Sequence, residues 1–402
     1  MKIRCLIFSV FSLFLLAGCW DKAELNDVSI ATGIAIDPGE EKKYKLTVEV
    51  VNSSEFSKQG AEGNAPVVTF SQEGNSLSEL ANKMNVGFIR EVIYSHTRVL
   101  YINEEVAKEG ILGFLDYLER SGHFRNDFNI LITDGPASDY TKITYPVLKS
   151  PSLKMHQQIK TFLQEWGGDP HIQLTDFIEA IVSKGRSPVA STIIISGDPE
   201  KGASTENNKQ IDVKTRVEMS GIALFDNEKM VGKLPLEDAR NYLWTQELEK
   251  TSLTIPCEKD ETKKNIDVRI IHSHSKLRSS YKDGKPTFHV DINGEGRLQG
   301  TECKKDVTNL EVFLEYEKNV NEHIKKEVTS TIQKVQEKYG VDIFGFGDAL
   351  NRSQYKKFKE VEKKWNEEFA KGNVEVHVNM HLLRYGIKNK SFLTDTPVSE
   401  NE

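Results

Sequence analysis

Apolar residues recur along this chain with two periods, and the switches between them mark out its elements. β-rich runs over 29–37 and 44–51, separated by the polar residues 37–43, predict a β-hairpin. The Ser-, Gly- and Asn-rich stretch 52–65 reads as a mobile loop. Leu77, Leu80, Ala81 and Met84 then fall at helical spacing behind Asn75 or Ser76 as cap. A strand over 97–102 leads to a helix capped by Asn103, with Val106, Ile111, Leu115 and Leu118 on one face. Residues 128–133 read as a strand, 153–166 and 174–183 as helices, and 190–195 as a further strand.

The segment 197–214 is polar, charged and rich in Gly, Asn and Lys, which predicts a linker. Beyond it, 217–225 and 229–234 form a hairpin around Asp226 and Asn227, and 236–248 form a short helix with Leu243 and Trp244 toward the core. Residues 266–271 and 287–292 alternate as half-buried strands do. A long helix over 310–339, with Ile324, Val328, Ile332 and Val335 on one face, stops at Gly340. A second helix over 354–369 closes at Gly372; its Trp365 and Phe369, at i and i+4, are expected to pack it onto the long one. An alternating strand over 374–382 completes the pattern. The reading is an α+β chain of three domains. Residues 19–197 form a mixed α/β domain, 198–214 a linker and 215–304 a small β-rich middle domain. Residues 305–388 form a C-terminal domain of two helices, one long, packed on antiparallel strands, and 389–402 a disordered tail.

The N-terminus departs from this pattern. Met1-Lys2-Ile3-Arg4 precedes an apolar run over 5–16, then Leu16-Ala17-Gly18-Cys19. A basic start, an apolar middle and small residues at the exit make a secretory signal over 1–18. The run falls short of the about 20 residues that span a bilayer. A cysteine directly after Leu-Ala-Gly has the form of a lipobox: cleavage between Gly18 and Cys19, with a diacylglyceryl group on the Cys19 thiol. An ordinary secreted protein with a chance cysteine at the cut is the alternative. Trp20 would then sit among lipid headgroups or pack on the first domain.

The 402 residues carry a formal charge of −7, and cleavage would remove Lys2 and Arg4 and no acid, taking it to about −9. That balance argues against nucleic acid, which needs a basic face. It also argues against binding anionic lipid by charge, leaving acyl chains as the membrane contact. No later run is long and apolar enough to cross a membrane.

Once Cys5 leaves with the leader and Cys19 takes lipid, Cys257 and Cys303 remain. They either pair, closing a loop worth roughly 4 kcal/mol in the chain-entropy model, or stay as free thiols. Neither has a Cys or His at ligand spacing, so no zinc site is expected. His272 and His274 share a strand face, as do His377 and His381, but solvated histidines explain both pairs better than a metal. Residues 293–300 and Gly345-Phe-Gly347 lack the glycine spacing of a phosphate loop. No G-x-S-x-G, H-E-x-x-H or Walker pattern occurs, and acid pairs such as Glu104-Glu105 and Glu367-Glu368 fall on helix faces expected to be solvated. The residues point to a non-enzyme without cofactor or metal.

Cys19-Trp-Asp-Lys-Ala-Glu-Leu-Asn-Asp27, with Ile30-Ala-Thr-Gly-Ile-Ala-Ile-Asp37, resembles the start of the Ger(x)C lipoproteins, the C subunits of spore nutrient-germinant receptors in endospore-forming Gram-positive bacteria. Further matches follow in order: Ala107-Lys-Glu-Gly-Ile, Leu118-Glu-Arg120, Arg125, Gly221-Ile-Ala-Leu-Phe225, Val231-Gly232 and Ala239-Arg-Asn-Tyr-Leu-Trp244. Gln336-Glu-Lys-Tyr-Gly-Val-Asp-Ile-Phe-Gly-Phe-Gly347, Trp365 and Phe369 complete the set. The resemblance implies three domains of unusual fold, no catalytic residues, and assembly with two integral membrane partners, the A and B subunits. It also implies a lipid anchor to the outer face of the cell membrane, in spores the inner spore membrane. Direct nutrient binding stays open, a scaffold or transducer being favoured. A substrate-binding lipoprotein of an uptake transporter is the alternative and would show two similar lobes about a cleft; a surface hydrolase would need a nucleophile and base that the sequence does not display.

Overall fold

A computed structural model describes residues 28–384 apart from 53–54, 56–63, 247 and 258–263. Gly18, Cys19 and Trp20, most of the loop 52–65 and the tail 389–402 lie outside the described residues.

β1 (Val28–Pro38) and β2 (Tyr44–Val51) form the expected antiparallel hairpin, extended by β3 (Val67–Gly74). α1 (Leu77–Lys83) starts where Ser76 Oγ accepts from Glu79 N at 3.2 Å. β4 (Glu91–Ile93) pairs with the start of β1, and β5 (Val99–Asn103) runs parallel beside β1. α2 (Glu104–Glu109) and α3 (Leu112–Arg120) cross to β6 (Asn129–Thr133). α4 (Ala137–Tyr140), α5 (Pro151–Glu165) and α6 (Leu174–Val182) cross to β7 (Val189–Ser196), again parallel. After α7 (Pro199–Gly202), β8 (Arg216–Asp226) and β9 (Lys229–Pro235) return antiparallel. The sheet has nine strands in the order β3-β2-β1-β5-β6-β7-β8-β9, with β4 on β1. Every residue of β5 and β6 is buried, because helices cover both faces. Leu80, Phe114, Leu118 and Phe177 pack on one face, Tyr140, Met155 and Ile159 on the other.

The second half begins with α8 (Leu236–Leu243) and builds a four-stranded sheet: β10 (Thr251–Pro256), β11 (Asn265–Lys282), β12 (Lys285–Thr301) and β13 (Asn373–Leu383). Between β12 and β13 lie α9 (Leu310–Lys338), α10 (Phe346–Ser353), α11 (Tyr355–Val361) and α12 (Trp365–Lys371). Ile324, Val328, Ile332 and Val335 of α9 are all buried, as their spacing required.

The α+β class matches the sequence reading, but the parts divide differently. β8 and β9, expected in a middle domain, complete the large sheet, while β10 to β12 join β13. The segment 198–214 links two neighbouring strands of one sheet instead of separating domains. Its Asn207 is buried and donates to Thr144 O at 2.8 Å and Thr215 O at 3.1 Å, and a Cβ on Gly197 would meet Lys214 O at 2.4 Å. β13 pairs parallel with β12, where antiparallel strands were expected, because a helical crossover returns the chain to the same end of the sheet. The helix over 354–369 is broken by a 3-10 turn, Glu362–Lys364; Trp365 and Phe369 pack on Phe288 of β12, and Gln336 Nε2 of α9 donates to Phe369 O at 2.7 Å, so the expected packing on the long helix is present too. One core cluster runs from Val189, Ile222 and Leu234 of the large sheet through Trp244 to Phe288, Ile324 and Phe369.

Candidate functional site

The matched residues of the second half, from Gly221 to Phe369, gather around the joint between the two sheets. Asp342 is fully buried at its centre. Its carboxylate accepts from Phe344 N at 3.1 Å, Gly345 N at 2.9 Å, Gly347 N at 2.8 Å and Trp365 Nε1 at 2.9 Å. Burial pushes this carboxyl up to about 6, against donors that favour its anion. The loop so gathered crosses the turn before β7: Ser187 N donates to Asp342 O at 2.7 Å, Asp348 N to Gly185 O at 3.2 Å and Ser183 Oγ to Asp348 Oδ1 at 2.7 Å. A Cβ on Gly347 would stand 2.5 Å from Gly185 Cα, so the two backbones touch only because both residues are glycine. Gly345 takes φ 88° at the turn into α10.

The other matched residues reinforce the joint. Tyr339 fills the space beside Gly232, where a Cβ would lie 2.0 Å from its ring, and donates to Lys233 O at 2.8 Å. Along α8, Asn241 Nδ2 donates to Thr331 Oγ1 at 3.0 Å, and Thr331 Oγ1 to Asp238 Oδ1 at 2.8 Å. Lys334 pairs with Asp238 at 2.6 Å. This buried polar chain fixes α8 on α9, and fully satisfied networks of this kind hold one geometry.

Two clefts offer open space. One, about 520 Å³, lies at the carboxyl ends of β1, β5 and β6, where open α/β sheets bind ligands. Two of its acids, Asp37 and Glu104, are already engaged. Asp37 accepts from Asn103 Nδ2 at 3.1 Å, Ala137 N at 2.6 Å and Ser138 N at 2.9 Å. Burial works to raise Glu104, but Lys108 and Lys233 outweigh it and hold the group below its usual value. The other, about 710 Å³, lies between β10 and α9 and is lined by Cys257, Glu315, Asn319 and His323. Cys257 and Cys303 are bonded to each other there. Burial holds His323 below its usual value.

His272, His274, His377 and His381 are all exposed on their strands, and among the described residues no group of three metal-ligating side chains gathers. The glycine-rich residues 293–300 lie within β12. Glu105 and Glu367 are exposed, while Glu104 and Glu368 are partly covered. Sequence reasoning missed the buried acids Glu49, Asp169 and Asp342. Burial raises Glu49, which accepts from Thr32 Oγ1 at 2.9 Å, Ser150 Oγ at 2.6 Å and Ser152. Its signal was a lone acid inside the apolar run Leu46-Thr-Val-Glu-Val-Val51. No helix among the described residues is long and apolar enough to cross a membrane.

Residues 21–195 match the family model described as the spore germination protein N-terminal domain, and 220–386 the one described as spore germination B3/GerAC like, C-terminal. The division between the matches falls inside the large sheet, between β7 and β8. Among proteins of Bacillus subtilis (strain 168), spore germination protein KC is 28% identical over 396 residues, covering 96% of this chain and 97% of the relative. Spore germination protein B3 is 22% identical over 389 residues, covering 95% and 98%. The crystal structure of the GerBC protein shares the fold, with a TM-score of 0.54 at 16% identity over 90% of this chain and 100% of that one.

Proposed function

The chain belongs to the GerAC-like family of spore germination proteins, and from that membership we propose that it is a non-catalytic, lipid-anchored receptor subunit that assembles with two integral membrane subunits to trigger germination. The observation that carries the reading is the match of both family models in order along nearly the whole described chain. A transducer needs a body that moves as one piece, and the shared core and crossed glycines supply it. The transporter alternative expects two similar lobes about a ligand cleft, whereas these sheets have nine and four strands and share a core.

Cys19 takes the lipid in this reading and holds the body on the outer face of the cell membrane, in spores the inner spore membrane. Spores lacking the chain should fail to respond to a nutrient mixture that triggers the parent, and the restored gene should rescue them. Cys19→Ala should neither rescue nor incorporate a labelled fatty acid. Label on that variant would refute the anchor; a full nutrient response without the chain would refute the receptor role.

A further inference from the structure

The chain is acidic as a whole, which makes one face stand out. The tip of the β11–β12 hairpin turns at Asp283 and Gly284, with φ 51° and 78°, and presents Lys282 and Lys285. The tip is fixed beside the end of α10: Tyr281 N donates to Gln354 Oε1 at 3.3 Å and Ser353 Oγ to Ser279 O at 3.1 Å. Arg352 and Lys356 flank Ser353 and Gln354, the residues that hold the tip, and Lys363 and Lys364 lie in the 3-10 turn after α11. All six cations are exposed, and among the described residues none of them makes an ion pair. Of the nearby acids, Glu360 and Glu362 are taken by Lys357 at 2.8 Å and Lys359 at 2.6 Å, while Asp283 and Glu367 are exposed, which leaves the cations in excess.

Tyr355, next to Lys356 in α11, has 60% of its surface exposed, and Lys359 Nζ lies 5.7 Å from its ring centroid. Tyrosine with long lysine stems joins an apolar body to a polar tip, the chemistry of a lipid–water boundary. The position of the face agrees. Asp348 N bonds to Gly185 O, and Asn366 Nδ2 to Asp226 Oδ1 at 3.2 Å, so α10 and α12 dock at the amino ends of the parallel strands. The chain enters β1 at that end, at Val28. The nine residues from Cys19 to Val28 reach at most about 30 Å.

We propose that this face lies against an anionic lipid surface, its cations on headgroup phosphates and Tyr355 at headgroup depth. It rests on the proposed function and adds charge to the acyl tether, turning the body's face toward the membrane that the lipid holds. The net charge of the chain, which argued against such contact, hides this local excess.

The test uses residues 19–402 with Cys19→Ser, which keep every strand of both sheets but no acyl chain. Vesicles of phosphatidylcholine alone are compared with vesicles half phosphatidylglycerol. Binding to the anionic vesicles should be at least about tenfold stronger at low salt and fall toward the neutral level as salt is raised. The triple variant Lys356→Glu, Lys363→Glu, Lys364→Glu should lose the preference with an unchanged melting temperature, and Tyr355→Ser should weaken binding at every salt concentration. Equal binding to both vesicles, or a preference that survives the triple variant, would overturn the proposal. So would a triple variant that sheds co-purifying membrane proteins while the parent shows no lipid preference, since the face would then grip protein. Fatty-acid labelling at Cys19 reads the tether separately, so failure here leaves the receptor reading intact.

Discussion

Trp365 shows how one side chain serves packing and polar satisfaction together. Its ring lies 5.6 Å from Phe358 and 6.0 Å from Phe288, and its Nε1 supplies one of the donors on buried Asp342. Trp365→Ala should cost ~3–5 kcal/mol in denaturant unfolding, as large-to-small core changes do. Trp365→Phe keeps most of the volume and removes the donor, so its smaller loss of ~1–3 kcal/mol isolates the hydrogen bond. The sequence carried the burial of Trp365 and Phe369 but not their partners, because helical spacing says nothing of Asp342, twenty-three positions away. Lys154 offers a test by pH. Burial lowers it to about 7, beside Val217 O at 3.2 Å and the Tyr145 ring at 3.8 Å. Between that value and the ordinary 10.5, the unfolded chain holds a proton that the folded one lacks, so stability rises with pH. The slope is up to ~1.4 kcal/mol per pH unit. Urea unfolding at successive pH values should show this slope in the parent and not in Lys154→Met; parallel profiles would contradict the burial of the charge.

Among elements, the β11–β12 hairpin was the least legible. Only 266–271 and 287–292 alternate cleanly, yet the strands run from Asn265 to Lys282 and from Lys285 to Thr301. The glycines of 293–300 lack the spacing of a phosphate loop and serve the sheet instead: a Cβ on Gly294 would meet His272 O at 2.3 Å, so the residue allows close strand approach beside a bulge. β3 went unread because its residues are mostly half-buried and polar toward Gly74, and β10 because only Leu253 and Ile255 mark its short alternation. By contrast β1, β2, β8, β9 and α9 follow their patterns closely, since each buries a continuous apolar stripe. The disulfide ties the end of β10 to the segment leaving β12 and closes a loop of 46 residues. Replacing Cys257 and Cys303 together by serine should lower stability by roughly 4 kcal/mol in the chain-entropy model, read by denaturant unfolding. An unchanged midpoint would mean the hairpin is held by the sheet alone.

For the whole molecule, composition misled where polar residues bond to backbone. The segment 198–214 looked like a hinge, but Asn207 and Gly197 pin it within the sheet. With a core shared by both sheets, unfolding followed by tryptophan fluorescence and by far-ultraviolet circular dichroism should give coincident transitions. Separated transitions would show that the halves move independently, contrary to a rigid transducer. The receptor reading itself is tested most directly by purifying the tagged chain from spore membranes in mild detergent and identifying what comes with it. The account predicts two polytopic membrane proteins in constant proportion; recovery of transporter components, or of the chain alone, would contradict it.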